Sequence, residues 1–223
     1  MPHPRFRKFL CAALRFLLMG RGNRPRDCAV VLLMKLFLLV LLAMAVVWLL
    51  RNSRAHTETA PYKLLRSDGP FELRDYPALT LATTPMHDPR GSEAFGHLFG
   101  FITGKNAAEE KIPMTTPVFI DPASGKPTMS FVLPQAVAQK GAPQPRGDVH
   151  LWVMEPGRYA VLRFKGSVSE KNQKQAAEQL SAWLRARHID AQSEPIFAYY
   201  DPPWTPVFLR RNEVMVRVAK ETQ

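Results

Sequence analysis

The longest apolar run in the chain lies near its start. Residues 28–50 read CAVVLLMKLFLLVLLAMAVVWLL, with Lys35 as the one charge. About twenty mostly apolar residues are enough for a helix to cross a bilayer, so this run predicts a transmembrane helix over 28–50. Lys35 lies about a third of the way in, where its long stem can carry the ammonium to the nearer headgroups. Beyond Leu50 the periods shorten. Strands are predicted near 71–74, 79–83, 117–120 and 128–133, and again near 149–154, 159–164, 197–200 and 212–218. Each set of four is interrupted by a segment of helical period. Phe95, Leu98, Phe99 and Ile102 follow i, i+3, i+4, i+7 spacing and predict a helix from Ser92 to about Thr103, with Ser92 as N-cap and Gly104 as the stop. Ala176, Leu180, Trp183 and Leu184 mark a second helix from Ser169 to about Arg187, capped by Ser169. Both stripes read as core.

The chain thus states one pattern twice: strand, turn, strand, helix, strand, strand. Asp75-Tyr76-Pro77 and Glu155-Pro156-Gly157 supply the turns, and a Pro-, Gly- and Gln-rich surface loop over 134–148 joins the halves. The repeat predicts an α+β fold of duplicated β-α-β units. The expectation is one curved antiparallel sheet carrying two helices, preceded by one N-terminal transmembrane helix. The organisation follows: a basic cytoplasmic segment over 1–27, a transmembrane signal anchor over 28–50, a tether over 51–60 and a folded domain over 61–223.

Charge sharpens the membrane reading and weakens another. The net charge of +11 belongs to the N-terminus: residues 1–54 hold ten Lys/Arg against Asp27 alone, and the rest hold twenty against eighteen acids. The near-neutral domain has no basic stripe, which argues against a nucleic-acid partner. Seven Lys/Arg precede the apolar run and only Arg51 and Arg54 closely follow it. That asymmetry places the N-terminus in the cytoplasm and the domain in the periplasm or outside the cell, as a single-pass membrane protein. Ala43-Met44-Ala45 has the form of a signal-peptide cleavage site, but the apolar run continues through Leu50, which favours an uncleaved anchor. The segment from Phe6 to Met19 reads either as an amphipathic helix on the cytoplasmic surface or as a disordered tail. Both cysteines, Cys11 and Cys28, lie at or before the start of the anchor. The domain therefore has no disulfide, no thiolate ligand and no Cys-based zinc site, and without CxxCH there is no covalent c-type haem.

The closing segment, 200–218, reads YDPPWTPVFLRRNEVMVRV. Its prolines stiffen a loop that presents Tyr200 and Trp204, and a strand follows. Period two puts Arg210 and Asn212 in the row of Val214, Val216 and Val218. Arg210 is then either a sheet-edge arginine or the basic group at the mouth of a ligand pocket. His97 lies opposite the first helix's stripe, on the face with Phe101, and is either a groove-lining metal-ligand candidate or a solvated histidine. There is no phosphate loop, HExxH, GxSxG or paired carboxylate with a role, so no catalytic residue is assigned.

Four segments in order carry a resemblance. YKLLRSDGPFELR from Tyr62, GSEAFGHLFGFITGKN from Gly91, KIPMTTPV from Lys111 and the closing loop are similar to the SOUL family of haem-binding proteins, over about residues 61–219. The resemblance implies a distorted barrel with pseudo-twofold symmetry. It also implies non-covalent binding of haem or another tetrapyrrole in a hydrophobic groove, without a dependable axial ligand. The groove lies beside the first helix and under the loop before the last strand. Carried onto this chain, it points to Phe95, Phe99 and Phe101, to Met114, and to Tyr200 and Trp204, with Arg210 or Lys105 pairing with propionates. The expected function is a membrane-tethered tetrapyrrole carrier, buffer or sensor. Two alternatives stay open. One is a small-hydrophobic-ligand binding or hydrolysing domain of the effector-binding type, with Glu213 as its candidate base. The other is a non-enzymatic interaction module.

Overall fold

The computed structural model describes residues 25–54, 57–88, 90–122, 125–202 and 204–219. The chain divides into two compact units, Met1–His56 and Thr57–Gln223.

In the first unit a 30-residue helix, α1, spans Pro25–Arg54. Its described side chains, Val30 to Ala45, are all exposed. Over these side chains alone the apolar run is shorter than the ~20 residues a span requires. Among the described residues no helix is long and apolar enough to cross a membrane. The side chains of 46–50, which complete the run, lie outside the described residues, as do residues 1–24 of the basic segment. The expected tether over 51–60 is largely structured. Residues 51–54 continue α1, since no proline or glycine interrupts it, and Glu58–Thr59 (β1) pairs in parallel with Thr115–Thr116 (β5).

The second unit contains the sheet and three helices. In chain order after β1 come β2 (Lys63–Asp68), β3 (Phe71–Tyr76), β4 (Leu79–Pro85), α2 (Ser92–Ile102) and, after β5, β6 (Val118–Asp121), β7 (Thr128–Val132) and α3 (Gln135–Lys140). Then follow β8 (His150–Met154), β9 (Gly157–Phe164), α4 (Glu170–Ala186), β10 (Ile196–Tyr199), a 3-10 turn over Val207–Leu209, and β11 (Asn212–Val218). The nine-stranded antiparallel sheet has the order β2-β3-β9-β11-β10-β6-β7-β4-β8.

That order contains the predicted repeat, with a difference. Matching β3, β4, α2, β6, β7 to β8, β9, α4, β10, β11 makes the sheet read the same from both ends about an axis between β10 and β6. Yet β3 and β4 do not pair with each other, and neither do β8 and β9. Each half lends its first strand to the other: β3 pairs β9, and β8 pairs β4. The reason lies at the predicted turns. Asp75 and Tyr76 are strand residues, paired with Arg158 and Gly157, and the two-residue connections Pro77-Ala78 and Glu155-Pro156 each contain a proline, whose fixed negative φ excludes the type I′ turn of a tight hairpin. Two further elements were not expected, namely β2 beside β3 and the short helix α3 inside the linker loop.

Cross-strand register shows which side chains share a face. Val214, Phe197, Ile120 and Met129 form one row across β11, β10, β6 and β7. This outer face is covered by both long helices. Ala176, Leu180, Trp183 and Leu184 of α4 pack on Ala160, Leu162, Val214, Val216 and Val218. Ala94, Leu98, Phe101 and Ile102 of α2 pack on Ala82, Met129 and Phe131. The next row, Glu213, Ala198, Phe119 and Ser130, lies on the inner face. There Leu79, Leu81, Tyr76, Tyr159, Val161 and Met215 form a third cluster. Burying about 25 cal/mol per Å² of apolar surface on both faces is what holds the curled sheet together.

The helix caps divide. Ser169 caps α4 as expected, its Oγ accepting from the Asn172 amide. Ser92 does not cap α2: the N-cap is Gly91, at φ 66°, and the Ser92 amide donates to Asp88 Oδ2 at 2.9 Å. A Cβ on Gly91 would stand 2.6 Å from Met129 Cε, a flexible side-chain end that could shift, so it is the left-handed φ that calls for glycine here.

Candidate functional site

The inner face holds a buried charge cluster. Arg74 on β3 is fully buried; Nη1 donates to Glu213 Oε2 at 2.7 Å, Nη2 to Glu213 Oε1 at 2.9 Å, and Nε to Glu72 Oε2 at 2.6 Å. Arg211 donates to Glu213 Oε1 at 2.7 Å, the Tyr200 hydroxyl donates to Glu213 Oε2 at 2.9 Å, and Arg163 reaches Glu72 at 2.7 Å. Arg74 also lies over the Tyr62 ring and Arg211 over the Tyr200 ring. Burial alone would raise the Glu213 carboxyl, but Arg74 and Arg211 outweigh it and hold its pKa below the usual carboxylate range. Burial pushes the Tyr76 hydroxyl up to about 12, and raises Tyr200 as well. The tyrosines thus stay neutral while Glu213 stays ionised. Both oxygens of Glu213 are engaged, by Arg74, Arg211 and Tyr200.

The expected groove residues divide between the two faces. Tyr199 packs under α4 on the outer face, so period two turns Tyr200 to the inner face, into the charge cluster. Tyr200 therefore cannot share a surface with the phenylalanines of α2. The buried stripe of α2 is also rotated from the expected one. Ala94, Leu98, Phe101 and Ile102 face the sheet, while Phe95 and Phe99 are 40% and 49% exposed. Small Ala94 admits the close approach, and the Phe101 ring takes the core position assigned to Phe99. Phe101 is thus core and not groove. His97 is exposed but stands about 200° around the helix from both Phe95 and Phe99, so the three do not form one surface. Arg210 does not begin the valine row; it precedes β11, half-buried, with Nε donating to the Thr205 carbonyl at 2.8 Å. Lys105 is exposed.

What remains is uncovered apolar surface. Phe95 and Phe99 stack with ring centroids 5.9 Å apart and an interplanar angle of 13°, and Phe95 meets Phe131 edge-on at 5.3 Å. Met114 is exposed just before β5. The loop before β11 exposes Trp204 at 81% and Phe208 at 70%, with Val207 and Leu209 beside them. Phe208 was not singled out from sequence, although it stands in the same TPVFLRR segment; an apolar run between Pro206 and Arg210 in a proline-stiffened loop was the available signal. Hydrogen bonds from the Arg211 amide to Asp201 and from the Thr205 amide to Pro202 brace the loop.

Flat, exposed rings fit the apolar faces of a tetrapyrrole, and exposed or half-buried cations fit its carboxylates. Phe95 and Phe99 on α2, and Met114, Trp204 and Phe208 elsewhere on the surface, are the exposed apolar side chains that could meet such a group non-covalently. Bound haem would supply the iron chemistry, and these side chains would shield its ring. Among the described residues no three His, Cys, Asp or Glu side chains gather as a metal site. A cavity of about 90 Å³ lies elsewhere, lined in part by Glu58, Leu79, Thr115 and Val132, and is too small for a macrocycle.

Comparison with known proteins identifies the family. The profile of the family described as SOUL heme-binding protein matches residues 57–217. No curated protein matches the chain. Among solved structures, the C-terminal domain of EcmrR is similar at 13% identity and TM-score 0.46, covering 71% of this chain and 98% of that one. A hydrolase from Listeria innocua is similar at 8% identity and TM-score 0.44, covering 76% of this chain and 97% of that one. A putative bacterial transcription regulation protein from Staphylococcus aureus MU50 is similar at 16% identity and TM-score 0.39, covering 67% and 98%. These likenesses are too loose to carry function. The family match spans nearly all of the second unit, with α2 and α4, and on that ground the chain belongs to the SOUL heme-binding protein family.

Proposed function

We propose that this chain is a membrane-tethered haem- or tetrapyrrole-binding protein, acting as carrier, buffer or sensor, that takes its ligand on the exposed aromatic surface of α2 and of the loop before β11. The observation that carries the reading is the stacked, uncovered Phe95–Phe99 pair within a domain of this family. Packing, not a designed ligand set, is the binding principle, because His97 points away from the pair. The engagement of Glu213 by Arg74 and Arg211 favours binding over turnover. The tether is the Cys28–Leu50 run, whose flanking charges orient the N-terminus to the cytoplasm and the domain to the periplasm or exterior.

The test is a titration of residues 55–223 with hemin, read at the Soret band. A saturable shift with micromolar or tighter affinity, weakened by Phe99→Ala and unchanged in spectrum by His97→Ala, is expected. No saturable shift would sink the proposal. For the tether, the full chain should resist alkaline extraction from membranes; release into the supernatant would remove it.

A further inference from the structure

The two ends of the sheet are not finished alike. Internal symmetry makes β3 and β8 equivalents, each the first strand of its half. β3 is covered on its outer edge by β2. β8 has no such cover: among the described residues it pairs only with β4, and it ends the sheet. The β2 edge is also guarded. It carries Lys63, Arg66 and Asp68 and a register shift between Leu64 and Arg66, devices that discourage edge pairing. The β8 edge, His-Leu-Trp-Val-Met, has no Lys, Arg, Asp, Glu or Pro and an unbroken register, with Trp152 56% and Val153 45% exposed.

The direction of its backbone groups follows from β4. The Thr80 carbonyl accepts from Leu133 at 2.9 Å, on the β7 side of β4. Thr80 therefore turns its polar groups away from β8, and its partner Val153 turns its own away from β4. Alternation gives Leu151 the same orientation. The amides and carbonyls of Leu151 and Val153 thus point off the edge of the sheet, without a partner among the described residues.

We infer that β8 is a homodimerisation edge, pairing antiparallel with β8 of a second copy about a twofold axis at Trp152. The sequence of the edge is self-complementary in that register. Leu151 of one copy meets Val153 of the other, and each such pair exchanges two ladder bonds. His150 meets Met154, and Trp152 meets Trp152 on the inner-face side, where aromatic pairing across strands is favourable. No like charges oppose. The pairing is isologous and closes at two copies, while the guarded β2 edge blocks growth at the far ends.

The test uses the full chain in a mild detergent, with mass by sedimentation equilibrium. A dimer is expected. Val153→Pro removes an outward amide without removing a bond to β4, so it should leave the circular dichroism unchanged and drop the mass about twofold, to the monomer. A direct arm is Trp152→Cys in a Cys11→Ser, Cys28→Ser background. The axis places the two Cα atoms about 4.5 Å apart, within disulfide reach, so mild oxidation should cross-link the chain. A monomer at all concentrations, a dimer that survives Val153→Pro with its fold intact, or a dimer whose Trp152→Cys form resists cross-linking overturns the inference. Capture of an extended peptide on β8 by a monomeric chain overturns it too. None of these outcomes bears on hemin binding, which concerns α2 and the loop before β11.

Discussion

At the scale of single residues, Glu213 and Trp204 are opposites. Glu213 is fully buried and held by two arginines; Trp204 is the most exposed large aromatic described in the folded domain. Glu213→Gln removes one of the two carboxylates that hold Arg74, the other being Glu72, and breaking that buried pair should cost up to about 3–5 kcal/mol, readable by denaturant unfolding. The pH dependence follows from the lowered pKa. A carboxyl with a depressed folded-state pKa stabilises the fold above its ordinary value of 4.5, and that contribution is lost as pH falls through the folded-state value. Thermal melts should therefore drop below about pH 4.5 in the wild type and less steeply in Glu213→Gln. Trp204→Ala should leave stability nearly unchanged, since the ring is already in water, but weaken hemin binding by ~1–3 kcal/mol, the scale of a lost aromatic contact. A titration with unchanged affinity would show that the loop takes no part. Neither assignment was fully legible in the sequence. Alternation put Glu213 opposite the valines, but not that this opposite face is also buried. That required Arg74, which comes from β3, far away in the chain.

At the scale of elements, the periodic signals worked where one face alone is apolar. α4 is buried along the expected stripe of Ala176, Leu180, Trp183 and Leu184, because its other face is charged and offers no alternative. α2 is apolar nearly all round, so its pattern did not fix its rotation. Small Ala94 on the sheet-facing side, in line with Leu98, Phe101 and Ile102, goes with burial of Phe101 and not of Phe99. The caps give a direct comparison. Ser169→Ala should lower stability by about 1 kcal/mol, because its Oγ accepts from the Asn172 amide. Ser92→Ala should cost less than half as much, because its side chain caps nothing. Chemical denaturation of both variants checks the difference. The eight strands expected from alternation are present, while β2 escaped notice because the whole strand is exposed except Asp68 and shows no buried row to alternate against.

At the scale of the molecule, the duplication was legible and its connectivity was not. Sequence period reveals two similar halves, but strand partners are chosen in three dimensions. Here β3 and β8, each followed by a two-residue connection that contains a proline, pair with strands of the opposite half. The same limit applies to the binding surface. The family resemblance points to α2 and the loop before β11 as the proposed surface, whereas the inward turn of Tyr200 and the filling of the inner hollow by Arg74 and its partners appear only in coordinates.

The exchange of first strands has a consequence for how the protein can be taken apart. Neither half owns a complete sheet: without β8 the first half has a raw strand β4, and without β3 the second has a raw strand β9. A chain severed within 141–147, after α3, should yield two pieces that are each insoluble or misfolded alone, yet co-purify and bind hemin when produced together. Recovery of either piece as an independently folded, monomeric protein would contradict that interdependence. The duplication is then less a pair of modules joined by a linker than a clasp, in which each arm is completed by the other.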